Sequence, residues 1–142
     1  MSHITEISVE IKDLDSLEAA CKEMGLELVR GQARYKWFGR FVGGAPMPAG
    51  MTEAEMGRCN HAIRIPGNAQ AYEIGVCQQG GNFVLRWDSW QGGYGMQDIV
   101  GKDAGKLSQA YAVQVASKQA RRQGMSVVQT RLADGRVQLR CR

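Results

Sequence analysis

Cys59-Asn60-His61 is the stretch whose residue types come nearest to chemistry. In a strand the thiol and the imidazole, two positions apart, would share a face. There they could ligate a metal ion or act as nucleophile and base. The spacing argues against both. A structural zinc site takes paired ligands such as Cys-x-x-Cys with a second pair downstream, and neither Cys77 nor His3 completes such a set. No glycine-framed nucleophile elbow occurs. Gly101-Lys102-Asp103-Ala104-Gly105-Lys106 carries two lysines without the glycine spacing of a phosphate loop. Cys59 and His61 are therefore weak metal candidates. No catalytic residues and no cofactor are expected.

A second group offers contact rather than catalysis. Trp90 and Tyr94, with Arg86 nearby, border the glycine-rich loop 91–96, Gln91-Gly92-Gly93-Tyr94-Gly95-Met96. Trp87 alternates with Leu85 and reads as core. Trp90 and Tyr94 lie beyond the strand pattern, so they and Arg86 are the expected partner-binding residues. The third group is cationic. Residues 1–30 hold seven acids against three bases, whereas residues 118–142 hold seven bases against one acid. Lys118, Arg121, Arg122, Arg136, Arg140 and Arg142 thus form a basic C-terminal end that could neutralise phosphates. A solvated helix face and an edge strand guarded by charge would leave the same pattern.

The elements that must position these residues follow from periodicity. Ile7, Val9 and Ile11 alternate with Glu6, Ser8 and Glu10 as a half-buried strand. Asp13 and Asp15 are N-cap candidates for a helix carrying Leu14, Leu17, Cys21 and Met24, stopped by Gly25. Strands are expected at 26–30, 33–38, 61–65, 71–77 and 82–87. The loop 39–58, rich in glycine and proline, interrupts them, with Thr52 able to cap a short helical turn. From Asp103 a long amphipathic helix is expected, with Ala112, Ala116 and Ala120 facing the sheet and Gly124 ending it. A hairpin through Ala133-Asp134-Gly135 closes the chain. Val137, Leu139 and Cys141 lie on one face of its last strand and four cationic or polar residues on the other.

At 142 residues with 44% apolar and 23% charged content, the chain has the size and composition of one ordinary globular domain spanning 1–142. No apolar run approaches a membrane span and no secretory signal is visible, so a cytoplasmic setting is expected. Four scattered cysteines fit reduced thiols better than a disulfide framework. The fold class expected is α+β: a mostly antiparallel sheet of about seven strands with two helices on one face. The element order suggests two β-α-β-β halves.

Tyr35-Lys36-Trp37-Phe38-Gly39-Arg40-Phe41-Val42-Gly43, Tyr72-Glu73-Ile74-Gly75, Leu107-Ser108-Gln109-Ala110-Tyr111-Ala112 and Asp134-Gly135-Arg136-Val137-Gln138-Leu139 carry a likeness over nearly the whole chain. Together with the opening Met1-Ser2-His3 they resemble an uncharacterised family known from a conserved plastid reading frame, cyanobacteria, other bacteria and phages. Phage-type members look closer to this chain than plastid ones. The loop from Ala45 to Arg58 is longer than in plastid members. The family supplies no activity, cofactor or catalytic residue to carry over. The leading expectation is a non-enzymatic binding or regulatory protein working through protein contacts, one form, given the phage-type resemblance, being an inhibitor of a bacterial defence complex such as an anti-CRISPR protein. The alternative is a nucleic-acid-binding protein using the basic C-terminal helix and strand. A small metal protein or enzyme centred on Cys59 and His61 comes third. The chain would be a monomer, or a homodimer paired through its last strand.

Overall fold

The computed structural model describes residues 4–39, 55–134 and 136–142. The readings that involve Met1 to His3, the loop between Arg40 and Ala54 with its Thr52 cap, and Gly135 lie outside those residues. The alternating N-terminal run forms β1 (Ile4–Ile11), followed by α1 (Leu14–Glu23). Of the two candidate caps the structure uses Asp13, whose carboxylate accepts from the Ser16 N–H at 3.2 Å and the Ser16 hydroxyl at 2.9 Å. Gly25 ends α1 at φ +75, with Leu26 N–H donating to Cys21 and Gly25 N–H to Lys22. Next come β2 (Glu27–Arg30), β3 (His61–Arg64), β4 (Ile74–Gln79) and β5 (Asn82–Asp88). After a glycine-rich turn, α2 (Met96–Val100) and α3 (Gly105–Arg122) complete the helices, and β6 (Val127–Arg131) and β7 (Val137–Cys141) form the terminal hairpin.

The protein is a single small α+β domain. Its main sheet is antiparallel throughout, in the order β1-β5-β4-β3-β2. α1 therefore crosses the sheet from one edge to the other. β6 and β7 pair only with each other. This corrects the expected seven-stranded sheet and the expected second β-α-β-β half, because the C-terminal hairpin packs beside α3 and adds nothing to the sheet edge. The Ala33–Phe38 strand is likewise reduced to one bridge, Arg34 to Arg58.

One sheet face carries Ile7, Ile11, Leu28, Ile63, Val76, Leu85 and Trp87, and all three helices close over it. α3 is rotated relative to the expected orientation. Ala112 and Ala116 are exposed, while Leu107, Tyr111, Val113, Ser117 and Ala120 are buried. Its hold on α1 is partly polar: the Tyr111 hydroxyl accepts from the Lys12 and Asp13 N–H groups at 2.9 and 3.2 Å. Lys118 donates to Asp13 at 2.8 Å. On the opposite sheet face, Ile4 and Ala62 are covered by Tyr35, Met56, Trp37 and Cys59. Gly75 is required there, since a Cβ at that position would sit 2.3 Å from the Tyr35 ring.

Candidate functional site

At the end of β5, Asp88 is fully buried, and its carboxylate ties two distant segments together. It accepts from the Phe38 N–H at 3.2 Å and from the Trp90 N–H at 3.1 Å. The second bond, from a residue two positions on, is an Asx-type turn that redirects the chain out of the sheet. Charge-assisted bonds to amides suit a carboxylate taken out of water. They bring Phe38, 38% exposed, beside partly exposed Trp90.

The chain then enters a left-handed turn. Gln91, Gly92, Gly93 and Tyr94 have φ of 52, 64, 65 and 53. Two of the four carry a Cβ, which this conformation penalises by about 1–2 kcal/mol per residue. Tyr72 donates its N–H to the Gly93 carbonyl at 2.9 Å and holds the turn down. The Tyr94 ring stands edge-on against buried Tyr72, with centroids 5.0 Å apart at 74°, and remains 46% exposed. Burial, then the nearby charge of Asp88 and then Tyr94, push the Tyr72 hydroxyl above its ordinary range. The Asp88 carboxylate thus ties the backbone of Phe38 to that of Trp90, and Tyr72, close to Asp88, carries the Tyr94 ring.

The third expected contact residue, Arg86, is placed differently. It lies on the sheet face beneath Tyr35, paired with Glu6 at 3.0 Å and with only 17% of its side chain exposed. Phe38 and Asp88 are additions that sequence reasoning missed. Their only signal was an aspartate closing a strand two residues before a tryptophan.

Cys59 and His61 do not converge. Cys59 packs with Tyr35 and Met56 on one side of the sheet, whereas the His61 ring lies 5.5 Å from Phe83, which joins the helix-side core. His61 Nδ1 accepts the Gly31 N–H at 3.0 Å, and burial, then the charge of Arg30, lowers its basicity. The Cys59 thiol is pushed up to about 12 by burial first, then by Cys77 and Glu73, so it stays a thiol at neutral pH. The expectation of a shared face fails because β3 begins at His61, after Cys59 has passed through an irregular turn. Among the described residues no three His, Cys, Asp or Glu side chains gather as a ligand set.

The basic end divides. Lys118 is committed to Asp13, and Arg136 pairs with Asp134 at 2.6 Å. Arg121, Arg122, Arg140 and Arg142 are exposed and make no ion pair among the described residues. Arg140 and Arg142 flank Val128 on the outer face of the hairpin. No described helix is long and apolar enough to cross a membrane.

Comparison with protein-family models, with characterised proteins and with solved structures gave no match to this chain.

Proposed function

We propose that the protein is a non-enzymatic binding or regulatory protein that contacts another protein through Phe38, Trp90 and Tyr94. The observation that carries this reading is the left-handed turn, which holds a tyrosine in solvent at the expense of backbone strain. Strain of this kind persists where the rest of the fold over-determines it, and it concentrates at clamps and recognition sites. Rigid aromatics with one face packed and one face open are also the side chains that dominate interface energies. In its finer form the partner is a bacterial defence complex and the protein an anti-CRISPR-like inhibitor of phage type, working in the host cytoplasm. That form draws on the family resemblance.

Arg121, Arg122, Arg140 and Arg142, exposed and without an ion pair among the described residues, favour a second reading, nucleic-acid binding. Salt separates the two. A phosphate-binding surface made by these arginines should keep submicromolar affinity at physiological salt, and its log–log salt slope should fall by about one for each arginine removed. We expect weak, sequence-independent binding that vanishes near physiological salt in a fluorescence-anisotropy titration. Tight binding there, abolished by Arg140→Ala with Arg142→Ala, would establish the second reading instead.

A further inference from the structure

The hairpin does not seal against α3. Between them, with the end of α1 and with α2 as the other walls, runs a groove of about 470 Å³. That volume falls within the range of small-ligand sites. Met24, Ile99, Ala110, Val113 and Val137 give it an apolar floor. Its polar rim is less ordinary. Arg131 pairs across the hairpin with Val137, so both sit on the strand face turned toward α3. Val128, three positions earlier and on the outer face, is 58% exposed. Val127, Val137 and Leu139 share the inward face, so Arg131 is a charged side chain set among apolar ones at the rim of the groove.

Charge at the groove is also unequal. Asp134 is paired with Arg136, and the Glu23 carboxylate accepts from the uncharged Gln114 amide at 3.1 Å, so three basic side chains (Lys106, Arg131 and Arg136) line the groove against two acidic ones. Lys106 and Arg131 line the same groove and make no ion pair among the described residues. An apolar floor beneath two uncommitted cations fits a molecule with an apolar body and one anionic group. We infer that the groove between α3 and the terminal hairpin binds a small amphipathic anion, its carboxylate or phosphate received by Lys106 and Arg131. The guanidinium supplies forked donors and the ammonium a mobile point charge, which together accept either headgroup.

The test uses the full chain and two dyes that share an anilinonaphthalene body: 8-anilinonaphthalene-1-sulfonate, which is anionic, and N-phenyl-1-naphthylamine, which lacks the sulfonate and is neutral. Fluorescence titration should give one site that binds the sulfonate about tenfold or more tightly than the neutral dye. Lys106→Gln with Arg131→Gln should weaken the sulfonate about tenfold and leave the neutral dye unchanged. Both substitutions are on the exposed rim, so folding is preserved. Val113→Trp should fill the floor and weaken both dyes; near-UV circular dichroism shows whether that variant is folded, and the charge variant decides the matter if it is not. Decanoate or decyl phosphate should displace the sulfonate, whichever does so more tightly identifying the headgroup. Tyr94→Ala, in the aromatic patch, should leave dye binding unaltered. Equal binding of the two dyes, indifference to the charge variant, displacement by neither lipid, or sensitivity to Tyr94→Ala would each overturn the assignment.

Discussion

Asp13 does three things at once: it caps α1, receives Lys118 from α3, and offers its own N–H to Tyr111. The Lys118 ammonium foremost, and the Ser16 hydroxyl and amide after it, hold its carboxyl down to about 2 from an ordinary 3.8, against the opposing effect of burial. A carboxylate depressed in the folded state stabilises at pH values above its unfolded value and ceases to do so as pH falls through the folded one. The contribution should therefore be present above about pH 4 and vanish toward pH 2. Lys118→Met should lower the Tm by about 1–3 °C at neutral pH, the scale of a partly exposed ion pair. The gap between wild type and variant should close on acidification from pH 4 to pH 2. A gap that stays constant down to pH 2 would show that Lys118 acts through packing alone.

At the scale of elements, two segments decide the account: the left-handed turn and α3. Gln91→Gly removes a Cβ from a left-handed position and should raise stability by up to about 1 kcal/mol in urea unfolding, whereas glycine elsewhere usually lowers it. A loss of stability would mean that the turn is not strained. For α3, Ala116 is exposed, so Ala116→Leu should change stability by no more than about 0.5 kcal/mol, while Leu107→Ala should cost about 2–5 kcal/mol. Equal costs at both positions would restore the alanine face to the core. The helix itself, its stop at Gly124 and the hairpin after it were legible because periodicity and turn chemistry are local. Its rotation was not. Alanine is both a small contact residue and the best exposed helix former, so an alanine stripe does not say which way it points. The buried side instead holds Tyr111, whose hydroxyl finds its donors, the Lys12 and Asp13 N–H groups, about a hundred residues away. Tyr35 and Trp37 misled in a similar way. Their alternation reads as a strand, but it serves to plug the outer face of the sheet.

Among the described residues the molecule has an open five-stranded sheet with three helices on one face and two short segments on the other, and a separate two-stranded hairpin. Its distinctive surfaces sit outside that frame. Trp90 and Tyr94 could be read from sequence as lying beyond the strand. Phe38 could not, because the Asp88 carboxylate joins it to Trp90 across 50 positions of chain. The same frame explains why Arg86, adjacent in sequence, is drawn away to Glu6 on the outer sheet face. The aromatic patch, and not the basic hairpin, is proposed to recognise the partner. The most direct measurement of this is quantitative affinity capture from nuclease-treated lysate of the host cells, comparing wild type with two double variants. Proteins enriched by wild type should be lost with Phe38→Ala and Tyr94→Ala, since truncating central aromatic anchors costs about 2 kcal/mol or more each. They should be retained with Arg140→Ala and Arg142→Ala. Retention by the aromatic variant and loss by the arginine variant would contradict the account and move recognition to the C-terminal hairpin.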